Sequence, residues 1–73
     1  MIEFKLLDLL EKTFIHVNSQ VIVKVTNVNK NILELTNIIS NNRYHIVPSD
    51  FTQMYQYYGN DYELPENFKI NNL

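Results

Sequence analysis

The chain has 73 residues, a net charge of −2, a single glycine and no cysteine. A domain of this size buries only about 60% of its unfolded surface, and the lack of cysteine excludes disulfides, thiolate zinc sites and thiol chemistry. We therefore expect one domain over residues 1–73, stabilised by a well-packed core or by formation of a homodimer.

The N-terminal segment, residues 3–12, has the leucine spacing of an amphipathic helix. Its leucines fall on one side of a helix, and most of its charged residues fall on the other. Glu3 would lie inside the apolar face and Phe4 on the polar face, so the helix either begins after them or leaves Phe4 exposed. Acids among the leucines make the segment unlike a signal peptide, and no apolar run approaches the roughly 20 residues that span a membrane.

Four segments rich in β-branched residues follow, at positions 13–17, 20–27, 32–39 and 43–47. The connections between them are short and rich in asparagine, which tolerates positive φ better than most residues and is expected at the turns. Because short connections favour antiparallel neighbours, we predict a four-stranded antiparallel meander that curls toward a small barrel.

Pro48 cannot donate a ladder hydrogen bond and is expected to end the last of these strands. Ser49 is a suitable N-cap and Gly59 is a suitable residue after a helix end. The apolar residues between them have helical spacing: Phe51, Met54, Tyr55 and Tyr58. These signals predict a helix at residues 50–58, with Tyr57 on its solvent side.

The predicted fold class is α+β, with an N-terminal helix, the meander and a C-terminal helix packed on it. Phe68 and Ile70 are suited to a last short strand. Alternation along the strands and the helical spacing assign the core. The expected core residues are Leu6, Leu9, Leu10, Val23, Val25, Leu33, Leu35, Ile46, Phe51, Met54 and Tyr58.

His16 and His45 are the candidates for acid–base or metal chemistry, but neither has a metal-ligand spacing. They lie on different predicted strands, so they meet only if those strands are neighbours. The serines fit turns or caps, and a single glycine cannot build a phosphate-cradling loop. The sequence therefore predicts no enzyme, no catalytic residue, no metal site and no cofactor.

Aromatic and basic residues are segregated along the chain. Residues 44–68 hold all five tyrosines and four of the eight acids, but no lysine or arginine. Nucleic-acid sites combine stacking aromatics with a basic groove, so this distribution argues against direct nucleic-acid binding. A small nucleic-acid-binding barrel is the alternative function, because small antiparallel barrels often bind nucleic acid.

The observed combination of acids and tyrosines instead suits docking on a basic surface of another protein. Carboxylates would replace phosphates, and tyrosine rings would supply rigid contact area. The alternative interpretation is that Tyr55 and Tyr58 belong to the core and the acids only solvate the surface. The residues that we assign to partner binding are Tyr57, Asp61, Tyr62, Glu63 and Glu66.

The run Arg-Tyr-His-Ile-Val-Pro-Ser-Asp-Phe at residues 43–51 resembles the end of SH3-like small barrels, where a strand enters a Pro-Ser-aromatic turn and a short helix. Residues 21–39 resemble the paired strands of such a barrel, so the resemblance covers residues 21–51. The chain has no tryptophan for a proline-peptide groove. The resemblance therefore implies a fold and does not extend to proline-peptide binding.

In style, a short asparagine-rich chain with a leading amphipathic segment is similar to accessory proteins of phages and mobile elements in low-GC bacteria, which include anti-CRISPR inhibitors. That resemblance implies a non-enzymatic inhibitor or modulator in the cytoplasm of a bacterial host. Its partner would be a host or defence protein, such as a CRISPR effector. A structural or assembly subunit of a phage particle is a further alternative.

Overall fold

The computed structural model describes residues 1–59 and 61–71. The fold is mostly β, with 43% strand and 16% helical content. In chain order the elements are β1 (Ile2–Phe4), a 3-10 helix (Leu6–Leu9), β2 (Thr13–His16), β3 (Ile22–Val28), β4 (Leu33–Asn37), β5 (Arg43–Ile46), α1 (Pro48–Met54), β6 (Tyr55–Tyr57) and β7 (Phe68–Ile70).

Five strands form one antiparallel sheet in the order β5-β4-β3-β2-β6, and β1 pairs with β7 in a separate parallel ribbon. The strands β2 to β5 follow one another in the sheet, as the meander required, and β6 adds a fifth strand beside β2. The predicted α+β class, with a four-stranded meander between two helices, is therefore wrong. The described residues contain one short α-helix, which lies between β5 and β6.

Residues 3–12 do not form the predicted amphipathic helix, because their first part is β1. Parallel pairing aligns Glu3 with Lys69 of β7, and the Lys69 Nζ lies 2.7 Å from the Glu3 Oε1. The hydrogen bond and the charge of Lys69 lower the pKa of the Glu3 carboxyl below its usual range. Since side chains alternate along a strand, Ile2 and Phe4 pack against the core while Glu3 is exposed. Glu3 and Phe4, which did not fit the helical pattern, thus fit a strand.

The segment Leu6–Leu9 forms a short 3-10 helix, which is followed by a turn at Leu10 and Glu11. Glu11 has a φ of 68°, and its N–H donates to the Val25 carbonyl of β3 at 2.8 Å. This left-handed residue stops helix growth and turns the chain into β2. Leu9 is fully buried, but Leu7 and Leu10 are 75% and 44% exposed, so the core assignment of Leu10 is wrong.

The predicted helix at residues 50–58 is also wrong, because α1 ends at Met54 and the next three residues form β6. This strand adds to the edge of β2, with Tyr55 opposite His16 and Tyr57 opposite Phe14. The alternation Tyr-Gln-Tyr places both tyrosines on the inner face. Pairing with β2 satisfies the backbone of a segment that also carries helical spacing, so the non-local contact overrides the local pattern.

The core lies between the inner face of the antiparallel sheet, α1 and the β1–β7 ribbon. Phe14 is at its centre, with the rings of Phe51 and Phe68 at 4.7 and 4.8 Å from its own ring. Aromatic pairs at such distances contribute about 0.5–1.5 kcal/mol each beyond the area that they bury. The sequence pattern did not assign Phe14, Phe68 or Ile70 to the core, and all three are buried.

The remaining core assignments divide into correct and incorrect ones. Leu6 and Ile46 are partly buried and pack against the core, and Tyr58 is half-buried. The core assignment of Met54 is wrong, because this residue is 42% exposed. The predicted core residues that are fully buried are Leu9, Val23, Val25, Leu33, Leu35 and Phe51.

Candidate functional site

The residues assigned to partner binding lie on and beside one exposed loop at residues 61–66, which we call the acidic loop. Its two ends are joined by a single antiparallel bridge between Tyr57 and Glu66. The Tyr57 N–H donates to the Glu66 carbonyl at 2.8 Å, and the Glu66 N–H donates to the Tyr57 carbonyl at 2.9 Å. One residue further along on each side, the Gln56 Nε2 donates to the Asn67 Oδ1 at 3.0 Å. The base of the acidic loop is therefore attached to the sheet.

Tyr57 lies between the acidic loop and the hydrophobic core. It is not the solvent-facing residue that the helical pattern predicted. Its ring is half-buried, with edge contacts to Phe4 at 5.1 Å and to Phe14 at 5.5 Å. Gly59 passes close to the tip of this ring, since a Cβ built on Gly59 would lie 3.8 Å from the Tyr57 hydroxyl. The ring thus connects the hydrophobic core to the start of the chain that forms the loop.

All six residues of the acidic loop are exposed. Tyr62 is 51% exposed, its ring lies 5.6 Å from the ring of Tyr58, and its φ is 55°. A left-handed conformation is unfavourable for a bulky residue, so the loop has a defined and strained shape at Tyr62. Such strain is concentrated at functional positions in many proteins.

The three carboxylates of the loop, Asp61, Glu63 and Glu66, take no part in the ion pairs found among the described residues. Lys69, the next base along the chain, is engaged with Glu3 on the β1–β7 ribbon. The loop therefore presents uncompensated negative charge to solvent, where a cationic surface would be attracted to it.

Leu64 is the residue of this loop that the sequence reasoning missed. It is 89% exposed, which is the largest exposure among the large hydrophobic side chains described. No distinct signal marks Leu64 in the sequence, because Phe68 at i+4 and Tyr62 at i−2 offer it aromatic partners at helical and strand spacing. An apolar side chain held in solvent between carboxylates is well placed to enter a pocket on a partner.

The two histidines are not brought together as the catalytic hypothesis required. His16 is on β2 and His45 is on β5, with β3 and β4 between them in the sheet. The His45 Nε2 lies 3.7 Å from the Glu34 Oε2 of the neighbouring strand. The described residues contain no group of three side chains that could hold a metal ion.

His16 has a structural task in the hairpin loop between β2 and β3. Its Nδ1 accepts hydrogen bonds from the N–H groups of Asn18 and Ser19, at 3.2 and 3.1 Å. The loop between β4 and β5 has the same arrangement. There the Asn37 Oδ1 accepts from the two corresponding N–H groups, at 2.8 and 3.1 Å. The His16 side chain therefore accepts the turn hydrogen bonds in the β2–β3 loop, as the Asn37 side chain does in the β4–β5 loop.

Asparagine does not fill the left-handed positions to the extent that the sequence predicted. Among the described residues with positive φ, only Asn41 is an asparagine, and the others are Glu11, Gln20, Gly59 and Tyr62. Asparagine instead acts as a side-chain acceptor that closes turns, as it commonly does. This use leaves the asparagine-rich loops without an evident ligand-binding role.

None of the helices in the described residues is long and apolar enough to cross a membrane. No protein-family model matches the chain, and neither a curated protein nor a solved structure matches it. Interpretation of the site therefore depends on its own geometry and charge.

Proposed function

We propose that this chain is a non-enzymatic protein-binding inhibitor or modulator that docks its acidic loop on a basic surface of a partner protein. The observation that carries the proposal is the exposure of Leu64 and Tyr62 among three carboxylates that form no ion pair within residues 1–59 and 61–71. A few residues near the centre of an interface contribute most of its binding energy, and tyrosine is enriched among them. Surrounding charges direct encounter and select the partner.

The attachment of the loop to the sheet also favours a binding role. Ordering a flexible segment on binding costs about 0.5–1.5 kcal/mol for each side chain that is immobilised. The Tyr57–Glu66 bridge and the hydrogen bond from the Gln56 side chain to the Asn67 side chain hold the base of the loop before any partner arrives. The surface is thus arranged in the free protein, and less ordering entropy is lost on binding.

The partner that this chemistry fits has cationic side chains around an apolar pocket, and it includes proteins whose basic surface otherwise holds nucleic acid. The resemblance in style to phage and mobile-element accessory proteins supports a host or defence protein in the bacterial cytoplasm, such as a CRISPR effector.

The test is affinity capture from a host lysate with the tagged full-length chain, followed by titration of the recovered partner. Wild-type protein should recover one protein in stoichiometric amount. The double variant Tyr62→Ala, Leu64→Ala should bind that protein at least about 30-fold more weakly, as expected when hot-spot residues worth about 2 kcal/mol are removed. The variant Leu7→Ala is the matched control, because Leu7 is 75% exposed and lies outside the loop.

Charge is tested separately with Glu63→Lys, which should slow association and reduce its dependence on salt. Recovery of no stoichiometric partner, or equal binding by the double variant and by Leu7→Ala, would contradict the proposal.

A further inference from the structure

A second apolar surface lies at the end of the sheet where the two similar hairpin loops meet. There the chain forms a groove of about 270 Å³ lined by Gln20, Val21, Ile22, Asn37, Ile39 and Ser40. Ile39 stands at its margin and is 85% exposed. Ile22, which lines the groove, is opposite Ile15 of β2 on the outer face of the sheet.

Two basic residues occupy the adjacent row of the same outer face. Lys24 of β3 and Arg43 of β5 both pair with Thr36 of β4, so the three residues lie side by side across the sheet. Directly opposite residues share a face, and residues two apart on a strand do so as well, which places Lys24 on the same face as Ile22. Arg43 is exposed and takes no part in the ion pairs among the described residues. Lys24 has only a solvent-exposed contact with Glu11, at 3.5 Å.

The acidic loop has the complementary features at the opposite end of β2. The chain leaves the sheet beside Thr13, where the Tyr58 N–H donates to the Thr13 carbonyl at 3.0 Å. The groove lies at the other end, beside His16, whose N–H donates to the Val21 carbonyl at 2.9 Å. Leu64 does not enter the groove of its own chain, since it remains 89% exposed. One chain therefore presents an apolar side chain among carboxylates and, elsewhere, an apolar groove beside the exposed base Arg43, while Lys24 lies opposite Thr13 of β2 and contacts Glu11.

We infer that the chain self-associates by placing Leu64 of one copy in the groove of a second copy. Glu63 and Glu66 of the first copy then lie near the exposed Arg43 of that second copy, and this charge complementarity selects the occupant. The contact joins two different surfaces, so it closes as a reciprocal pair or continues head to tail. Self-association buries the loop that the proposed partner would bind, and it therefore limits the amount of binding-competent protein as concentration rises.

The contact is small, because one loop enters one groove, and interfaces of that size are weak. We expect dissociation constants from about 10 µM to about 1 mM and a loss of association in about 0.5 M salt, where exposed charges are screened. Sedimentation velocity of the full-length chain over this concentration range measures both. The weight-average mass should rise with concentration at low salt and remain that of the monomer at high salt.

Two variants separate the two surfaces. Leu64→Glu changes the loop, Ile39→Asp changes the groove, and each should weaken self-association at least about tenfold. A mixture of the two should associate again in a 1:1 ratio, because the loop of the Ile39→Asp chain meets the intact groove of the Leu64→Glu chain. Leu7→Asp is the matched control and should associate as the wild type does. All three positions are exposed, and unchanged circular dichroism spectra confirm that the variants are folded.

Arg43→Glu provides a second change on the groove side that leaves every apolar residue in place, and it should also weaken association. A wild-type chain that is monomeric up to about 1 mM at low salt overturns the inference. Failure of the Leu64→Glu and Ile39→Asp variants to associate with each other also overturns the inference. The outcome is independent of the proposed function, because Ile39→Asp removes self-association while leaving the acidic loop intact for partner capture.

Discussion

Replacement of Tyr57 tests whether this residue belongs to the core or to the docking surface. The sequence pattern placed Tyr57 on a solvent face and assigned it to partner binding. The structure instead packs its ring against Phe4 and Phe14 and passes Gly59 over its hydroxyl end. We therefore expect Tyr57→Ala to reduce folding stability, which would reduce partner binding only indirectly.

The magnitude follows from the burial of the ring. Truncating a fully buried aromatic residue to alanine costs about 3–5 kcal/mol, and Tyr57 is half-buried, so we expect about 2–3 kcal/mol. The two edge contacts, at about 0.5–1.5 kcal/mol each, account for a large part of this loss. In a domain of this size the change lowers the melting temperature by about 10–20 °C. Proteins of 73 residues have a total unfolding free energy of about 4–11 kcal/mol, so a substantial fraction of the stability is removed.

The assay is urea denaturation followed by far-ultraviolet circular dichroism, with the wild type, Tyr57→Ala, Tyr57→Phe and Leu64→Ala compared in one buffer. Tyr57→Phe keeps the ring and Leu64→Ala changes only an exposed side chain, so each should remain within about 0.5 kcal/mol of the wild type. If Tyr57→Ala also remains within that limit, the ring does not support the loop and the structural assignment is refuted. Tyr57 would then return to the docking surface.

Three further predictions concern the turns and the buried tyrosine. His16→Asn should be about 1 kcal/mol more stable to unfolding than His16→Ala, because the asparagine oxygen can still accept hydrogen bonds from the two turn N–H groups. Equal melting temperatures for the two variants would show that the side chain at position 16 does not stabilise the turn. Gly59→Ala should lower the unfolding free energy by about 1 kcal/mol, because the φ of 70° at this position is unfavourable for alanine. The added Cβ would meet its neighbours only at ordinary contact distances, so no larger loss is expected. A melting temperature that is unchanged or higher would contradict this prediction. Burial and the neighbouring Tyr44 hydroxyl raise the pKa of Tyr55 above its ordinary value, so the unfolded chain releases this proton at lower pH than the folded chain does. The unfolding free energy should therefore fall as the pH rises above about 10, and it should fall less in Tyr55→Phe; identical alkaline unfolding profiles would disprove this.

The structure changes which residues can belong to the proposed docking surface. Glu66 is both an exposed acid and a backbone anchor, while Tyr57 supports the loop from the core side. Asp61, Tyr62 and Glu63 remain exposed residues of the loop, and Leu64 joins them. The most informative variants for binding are consequently those at Tyr62 and Leu64, which can be changed with little effect on the fold.

Local sequence determined the elements whose pattern admits a single interpretation. Alternating apolar residues in β3 and β4 correctly assigned Val23, Val25, Leu33 and Leu35 to the core. The only glycine adopts positive φ at position 59, but it follows β6 and not the helix end that the pattern predicted. The acids after that glycine were assigned to a surface, and Asp61, Glu63 and Glu66 are all exposed.

Tertiary structure decided the segments that carry two patterns at once. Residues 2–12 have leucines at helical spacing and also the alternation Ile2-Glu3-Phe4, and pairing of β1 with β7 selects the strand for the first three residues. Tyr55 and Tyr57 have a similar ambiguity, which is resolved by the free edge of β2. Both partners are distant in the chain, and a local window contains no information about which backbone edge is available. For the same reason sequence alone could identify the acids of the loop, but could not assign Tyr57 to its support or Leu64 to its most exposed position.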